Sequence, residues 1–264
     1  MSTDRSLDGA AAPCPMSITF DQFIIFGDSI TQGASSQEKG FTFQPALQDV
    51  YIRRLDVINR GFSGYTSPQG LTALGQFFPP VEKDKVRLMT IFFGANDAVL
   101  PPYDQHVPLE KYQQSLRSII THKAVNAQKT KLLLLTPPPV NEYQLESYGR
   151  ESGYSTLTRK AQVTKLYADA CREVGKSLDT PVVDIWSAFM KEAGWTEGEP
   201  LAGSKDAPPN KKLAELLCDG LHFTSEGYKV MYAETMKVIR EEYPEEAPEK
   251  LPILFPPRLE APGS

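Results

Sequence analysis

At 264 residues, 41% of them hydrophobic, the chain is long enough to bury a large core and is expected to form one main domain. A formal net charge of −5 and a pI of about 5.4 argue against nucleic acid as a primary partner. The longest apolar runs, such as Leu132 to Leu135, fall far short of the roughly 20 residues of a membrane span, and Cys14, Cys171 and Cys218 show neither a disulfide framework nor zinc-ligand spacing.

Residues 1–17 are small and polar, carry Asp4, Arg5 and Asp8, and lack a continuous apolar stretch. They read as a loose leader rather than a secretory signal, and a cytoplasmic location is the simplest expectation. Five strand-like segments follow: Ile18 to Phe26, Asp56 to Ile58, Val86 to Phe93, Lys131 to Leu135 and Val182 to Trp186. Phe23 to Phe26 are apolar at consecutive positions, the pattern of a parallel strand buried on both faces. Helical patterns separate the strands. Leu109, Tyr112, Leu116, Ile119 and Ile120 share one face; Val163, Leu166, Tyr167, Ala170, Cys171 and Val174 share another. A last helix carries Tyr228, Met231, Tyr232, Thr235 and Ile239, with Thr224 as N-cap and Pro244 as stop. Strands alternating with helices imply an α/β domain over residues 18–243, its parallel sheet covered on both sides.

Two stretches break this rhythm. Gly194 to Lys212 is rich in Gly, Pro and charge and is expected to be a surface loop near the mouth of a site. Residues 244–264 begin acidic and turn apolar and proline-rich at Leu251 to Arg258. Leu251, Ile253, Leu254 and Phe255 are too apolar for a free end, so this tail is expected to dock on its own domain, or on a second copy in a homodimer, close to the substrate entrance.

Parallel strands gather their carboxyl ends on one edge, where ligands bind in open α/β sheets. The turns that meet there carry Ser29, then Asn59 to Gly64, then Gly94-Ala95-Asn96-Asp97, and later Asp219-Gly220-Leu221-His222. Acyl transfer needs a nucleophile, a base, a group orienting the base, and donors for an oxyanion. Ser29 suits the first role and His222 the second. Asp219, three residues earlier, can hold the imidazole's other nitrogen. The backbone N–H groups of Ser29 and Gly64 and the Asn96 amide are candidate oxyanion donors, Gly64 because a missing Cβ lets its backbone approach a substrate. His106, with Asp104 two residues before it, is a candidate pocket residue for substrate binding, whereas His122 reads as a satisfied or solvated side chain. Ser63 does not fit a nucleophile elbow, and Cys218 reads as a buried, inert cysteine. No dinucleotide or P-loop fingerprint is present, and no cofactor or metal is expected.

These blocks resemble those of the SGNH (GDSL-type) hydrolases. Gly27-Asp28-Ser29 is similar to the family's first block, Gly64 to its glycine block, Gly94-Ala95-Asn96-Asp97 to its G-x-N-D block, and Asp219-Gly220-Leu221-His222 to its D-x-x-H block, all in order between Phe23 and His222. The resemblance implies a three-layer α/β/α flavodoxin-like fold with a five-stranded sheet, cofactor-free ester hydrolysis, and the roles given above. Asn59 to Tyr65, Gln105 to Leu109 and Asp219 to His222 look most like the isoamyl acetate-hydrolysing esterase branch, which implies short-chain acetate esters. The expected partner is a small-molecule ester, with neither nucleic acid nor membrane. Other acyl substrates are a thioester, a lysophospholipid or an acetylated sugar. A silent small-molecule binding protein and a flavodoxin-like nucleotide or flavin binder are the rivals from other classes.

Overall fold

Five parallel strands form the middle layer of the molecule: β1 (Asp21–Gly27), β2 (Leu55–Gly61), β3 (Val86–Phe92), β4 (Lys131–Leu135) and β5 (Val182–Val183). This is a computed structural model, and it describes residues 19–151, 157–255 and 257–260. The spatial order is β2-β1-β3-β4-β5, the flavodoxin-like order. Around the sheet lie α1 (Ser29–Gly33), α2 (Phe43–Val50), α3 (Ser67–Phe77), α4 (Leu109–Ile120), α5 (Lys123–Gln128), α6 (Glu142–Glu151), α7 (Ala161–Ser177), α8 (Ile185–Glu192), α9 (Lys211–Leu216) and α10 (Ser225–Glu242).

The period of two in each strand divides the core. Phe23 and Ile25 of β1 and Leu133 and Leu135 of β4 pack with Phe43 and Leu47 of α2, Phe189 of α8 and Tyr228 of α10. Ile24, Phe26, Leu132 and Leu134 pack on the other face with Leu74 of α3, Tyr112 and Leu116 of α4 and Cys171 of α7. A strand with helices on both sides has no solvent face, which is why β1 lacks the polar alternation of a half-exposed strand.

Several boundaries differ from the sequence reading. β1 starts at Asp21, and Ile18 lies outside the described residues. β2 runs on to Gly61 because all seven of its residues pair in register with β1, even though only Leu55 and Val57 are buried. The fifth strand stops at Val183: Asp184 turns out of the sheet and accepts the Ser187 N–H at 3.1 Å to cap α8, so Trp186 is helical. Leu166 does not belong to the buried stripe of α7; it is 53% exposed, while Thr164, Tyr167, Cys171 and Val174 face inward. Thr224 Oγ1 caps α10 by accepting the Gly227 N–H.

The tail follows the amino-terminal edge of the sheet. Tyr51 donates its hydroxyl hydrogen to the Glu246 carbonyl at 2.9 Å, and Arg87 at the start of β3 forks onto the Glu246 carboxylate at 2.8 and 3.1 Å. Leu254 N–H donates to the Arg53 carbonyl at 3.0 Å, and the Phe255 ring lies 5.9 Å from that of Phe20. Leu251 is core; Ile253 remains 49% exposed. These contacts stand at the opposite end of the strands from Ser29, so the described part of the tail does not border the substrate entrance. The reason is the charge placed at the strand starts: Arg53, Arg54 and Arg87 offer donors to its carbonyls and acidic groups.

Candidate active site

Ser29 is the first residue of α1, directly beyond the carboxyl end of β1. Asp28 caps that helix by accepting the Ile30 N–H at 2.9 Å. Tyr228 of α10, wholly buried, donates to the Ile30 carbonyl at 2.7 Å and pins the turn from behind. Burial pushes the Asp28 carboxyl up to about 7, against the pull of the Ile30 N–H and of His222.

His222 sits on the turn between α9 and α10. The turn is closed by the Cys218 N–H bonding the His222 carbonyl at 2.8 Å and by a bridge between Leu217 and Phe223. Asp219 shapes it from within: Oδ1 accepts the backbone N–H groups of Leu221 at 2.9 Å and His222 at 2.8 Å. Its Oδ2 lies 2.6 Å from His222 Nδ1, and His222 Nε2 lies 2.8 Å from Ser29 Oγ. Burial opposes ionisation of Asp219, but the bonds to the His222 ring and backbone outweigh it and hold the carboxyl down to about 2. An ionised carboxylate only accepts, so Nδ1 carries the proton and Nε2 is left as acceptor for the serine hydroxyl.

Gly64 and Asn96 come from the turns after β2 and β3. Gly64 has a φ of +80°, and among the described residues a Cβ there would meet only the Gln105 amide nitrogen, at 3.6 Å. The glycine is therefore explained by its left-handed backbone and not by crowding at the site. Its carbonyl accepts from Gln105 Nε2 at 2.8 Å. Asn96 Nδ2 donates to the Tyr65 carbonyl at 2.9 Å, and Asn96 Oδ1 accepts from Arg159 Nη2 at 3.1 Å. Next to it Asp97, fully buried, accepts both the Ser67 N–H at 2.9 Å and the Ser67 hydroxyl at 2.6 Å. The start of α3 and the turn after β3 are thereby stitched together, which fixes Gly64 and Asn96 relative to each other.

Ser29, Gly64, Asn96, Asp219 and His222 all line one cavity of about 430 Å3. Among the described residues, the other walls are Leu145, Tyr148 and Gly149 of α6, Leu157 to Arg159, Leu221, and the polar pair Ser63 and Gln105. His106 is not among them: its Nδ1 is bonded to the Val99 carbonyl at 2.6 Å, and its neighbour Gln105 faces the cavity instead. Residues 194–212 do not line it either. That stretch packs behind α6, where Ala207 accepts from the Tyr143 hydroxyl at 2.7 Å and Lys205 pairs with Glu146 at 2.5 Å. Cys218 is exposed rather than buried, while Cys171 is core, and Cys14 lies outside the described residues. His122 caps α5 by accepting the Ala124 N–H.

The sequence reading missed Arg159 and the α6 wall. Leu145 and Tyr148, three residues apart on a short helix, carried a signal that could have been read as one face. Arg159 carried none, since a single arginine in a polar stretch looks like surface.

A parallel α/β sheet with a serine, a histidine and an aspartate in hydrogen-bonded series at its carboxyl edge is the architecture of an acyl-group hydrolase. Residues 25–230 match the model of the GDSL-like Lipase/Acylhydrolase family. A GDSL esterase/lipase of Arabidopsis thaliana is 33% identical over 89% of this chain and 91% of its own length. The isoamyl acetate-hydrolyzing esterase 1 homolog of Homo sapiens is 31% identical over 93% of this chain and 90% of its own length. Among solved structures, the lipase/acylhydrolase from Enterococcus faecalis superposes with a TM-score of 0.57 at 26% identity, covering 84% of this chain and 96% of that one. The chain belongs to the GDSL-like lipase/acylhydrolase family and is a carboxylic ester hydrolase. Among the described residues, no helix is long and apolar enough to cross a membrane.

Proposed function

We propose that the protein hydrolyses short-chain carboxylic esters, acetate esters foremost, through an acyl-enzyme on Ser29. The observation that carries this reading is the continuous series from Ser29 Oγ through His222 to Asp219, at 2.8 and 2.6 Å. In the forward step Ser29 Oγ attacks the ester carbonyl while His222 Nε2 takes its proton. Asp219 holds the ring in the tautomer that can do so and stabilises the imidazolium that forms. The tetrahedral oxyanion is received by the Ser29 and Gly64 N–H groups and by the second amide hydrogen of Asn96. His222 then returns the proton to the departing alkoxide, and water repeats the relay on the acyl-enzyme to release the acid.

Two things support a short acyl chain. The cavity of about 430 Å3 suits a small ester, and a 31% identical relative bears the name of an isoamyl acetate-hydrolyzing esterase homolog. The test is a series of p-nitrophenyl esters from acetate to palmitate, run on the wild type and on Ser29→Ala. The expected result is the highest kcat/KM on acetate and its loss, by several orders of magnitude, in folded Ser29→Ala. Activity surviving in that variant overturns the nucleophile, and a maximum at palmitate overturns the chain length.

A further inference from the structure

Arg159 has no place in the proton relay, yet it lines the cavity and touches the residue assigned to the oxyanion. It stands in the short connection that leads into α7. From there it reaches the turn after β3 with two donors of one guanidinium. Its Nε donates to the Ala95 carbonyl at 2.9 Å and its Nη2 to Asn96 Oδ1 at 3.1 Å. The two acceptors belong to consecutive residues, so a single planar fork grips the turn at the backbone and at the side chain together.

The consequence falls on the Asn96 amide. That group has one acceptor oxygen and two N–H donors. Arg159 occupies the oxygen, and the Tyr65 carbonyl takes one donor at 2.9 Å. With both bonds made, the carboxamide cannot rotate or flip without breaking a charge-assisted bond and turning its oxygen onto a carbonyl. One N–H remains, and its direction is set. A cation on the amide oxygen also draws electron density away from the nitrogen, which strengthens the remaining donor.

We infer that Arg159 is a positioning residue for the oxyanion hole: its fork on Ala95 and Asn96 aims and polarises the Asn96 amide. The inference rests on the serine esterase reading. A lysine cannot replace it, because one ammonium on a flexible stem does not span two acceptors in a fixed plane. Its effect must pass through Asn96, and so must vanish when Asn96 has no amide to aim.

The test is a double-mutant cycle on p-nitrophenyl acetate with Arg159→Met, Arg159→Lys, Asn96→Ala and the two double variants, each checked for folding by circular dichroism. Arg159→Met should lower kcat on the order of 10- to 100-fold, the range of a hydrogen bond to a charged group, with KM within about threefold of wild type. Arg159→Lys should recover less than about a third of that loss. In the Asn96→Ala background either change should alter kcat by less than about threefold. If Arg159→Met does not fold, Arg159→Lys carries the cycle, since it keeps the charge and the stem. Equal losses in both backgrounds, a loss confined to KM, or full activity in Arg159→Lys overturns the inference. These outcomes leave the esterase reading standing, because that fails only if activity survives in Ser29→Ala.

Discussion

At the scale of single residues, the hydrogen-bonded series Ser29, His222 and Asp219 is held in place by groups outside it, such as Tyr228. Asn96 is 4% exposed and keeps one amide hydrogen uncommitted to Tyr65. Its contribution is expected in the transition state and not in the ground state. Asn96→Ala should therefore lower kcat on the order of 10² to 10³ with KM nearly unchanged on p-nitrophenyl acetate; a change in KM alone would make it an ordinary substrate contact. Asp28 behaves in the opposite way to Asp219. Its carboxyl is 1% exposed and is pushed by burial from 3.8 up to about 7. The folded state thus binds a proton that the unfolded chain has already lost above pH 4. The stability contributed by neutral Asp28 is fully present below about 3.8 and is lost as pH rises through about 7. Asp28→Asn keeps the oxygen that accepts the Ile30 N–H and cannot ionise. Urea unfolding at pH 4, 5.5 and 7.5 should show this variant gaining on the wild type as pH rises, by no more than about 4 kcal/mol. A pH-independent difference would show that the Asp28 carboxyl does not titrate in that window.

At the scale of elements, α6 and the turn that bears His222 are one assembly. Gly220 has a φ of +92°, and a Cβ there would lie 2.5 Å from the Asn141 carbonyl oxygen and 2.7 Å from the Leu145 nitrogen. The Asn141 N–H in turn donates to the Gly220 carbonyl at 2.9 Å. The glycine between Asp219 and His222 is thus the place where α6 presses against the turn that bears His222, and it brings Leu145 and Tyr148 to the cavity. Glu142, buried at the start of the same helix, accepts the Ala161 N–H at 2.9 Å and ties α6 to α7. Tyr148 is 55% exposed while lining the cavity, so truncating it opens space at little structural cost. Tyr148→Ala should raise the ratio of butyrate to acetate hydrolysis severalfold and change unfolding free energy by less than about 0.5 kcal/mol. An unaltered ratio would remove α6 from the determinants of chain length.

At the scale of the whole molecule, the two ends of the sheet carry different work. The carboxyl end holds Ser29, His222 and Asp219, hydrogen-bonded in series. The amino-terminal end is closed by the tail, with Leu251 in the core and Glu246 paired to Arg87. β1 has seven residues, so roughly 20 Å of strand separates the two ends. Removing residues 251–264 takes away the Leu251 anchor, a loss of roughly 1.5–3 kcal/mol, and should lower Tm by several degrees. KM for p-nitrophenyl acetate should stay within about twofold of wild type. A shift in acyl-chain preference would instead place the tail in communication with the cavity.

What the amino-acid sequence determined by itself was local and periodic. The apolar runs ending in turns marked the strands, because a strand covered on both faces has no other composition open to it. The three-residue step from Asp219 to His222 placed carboxylate and imidazole on one turn, and Ser29, Gly64 and Asn96 followed strands whose carboxyl ends must share an edge. What only the tertiary structure decided depends on contacts between residues remote in the chain. The bond from His222 to Ser29 spans 193 positions, the grip of Arg159 on Asn96 spans 63, and that of Tyr51 on the tail spans 195. Local pattern cannot say that Gln105 rather than His106 faces the cavity, nor that the tail binds the far end of the sheet. Those outcomes depend on which donors and which gaps the packed helices leave, and that is settled only when the layers close.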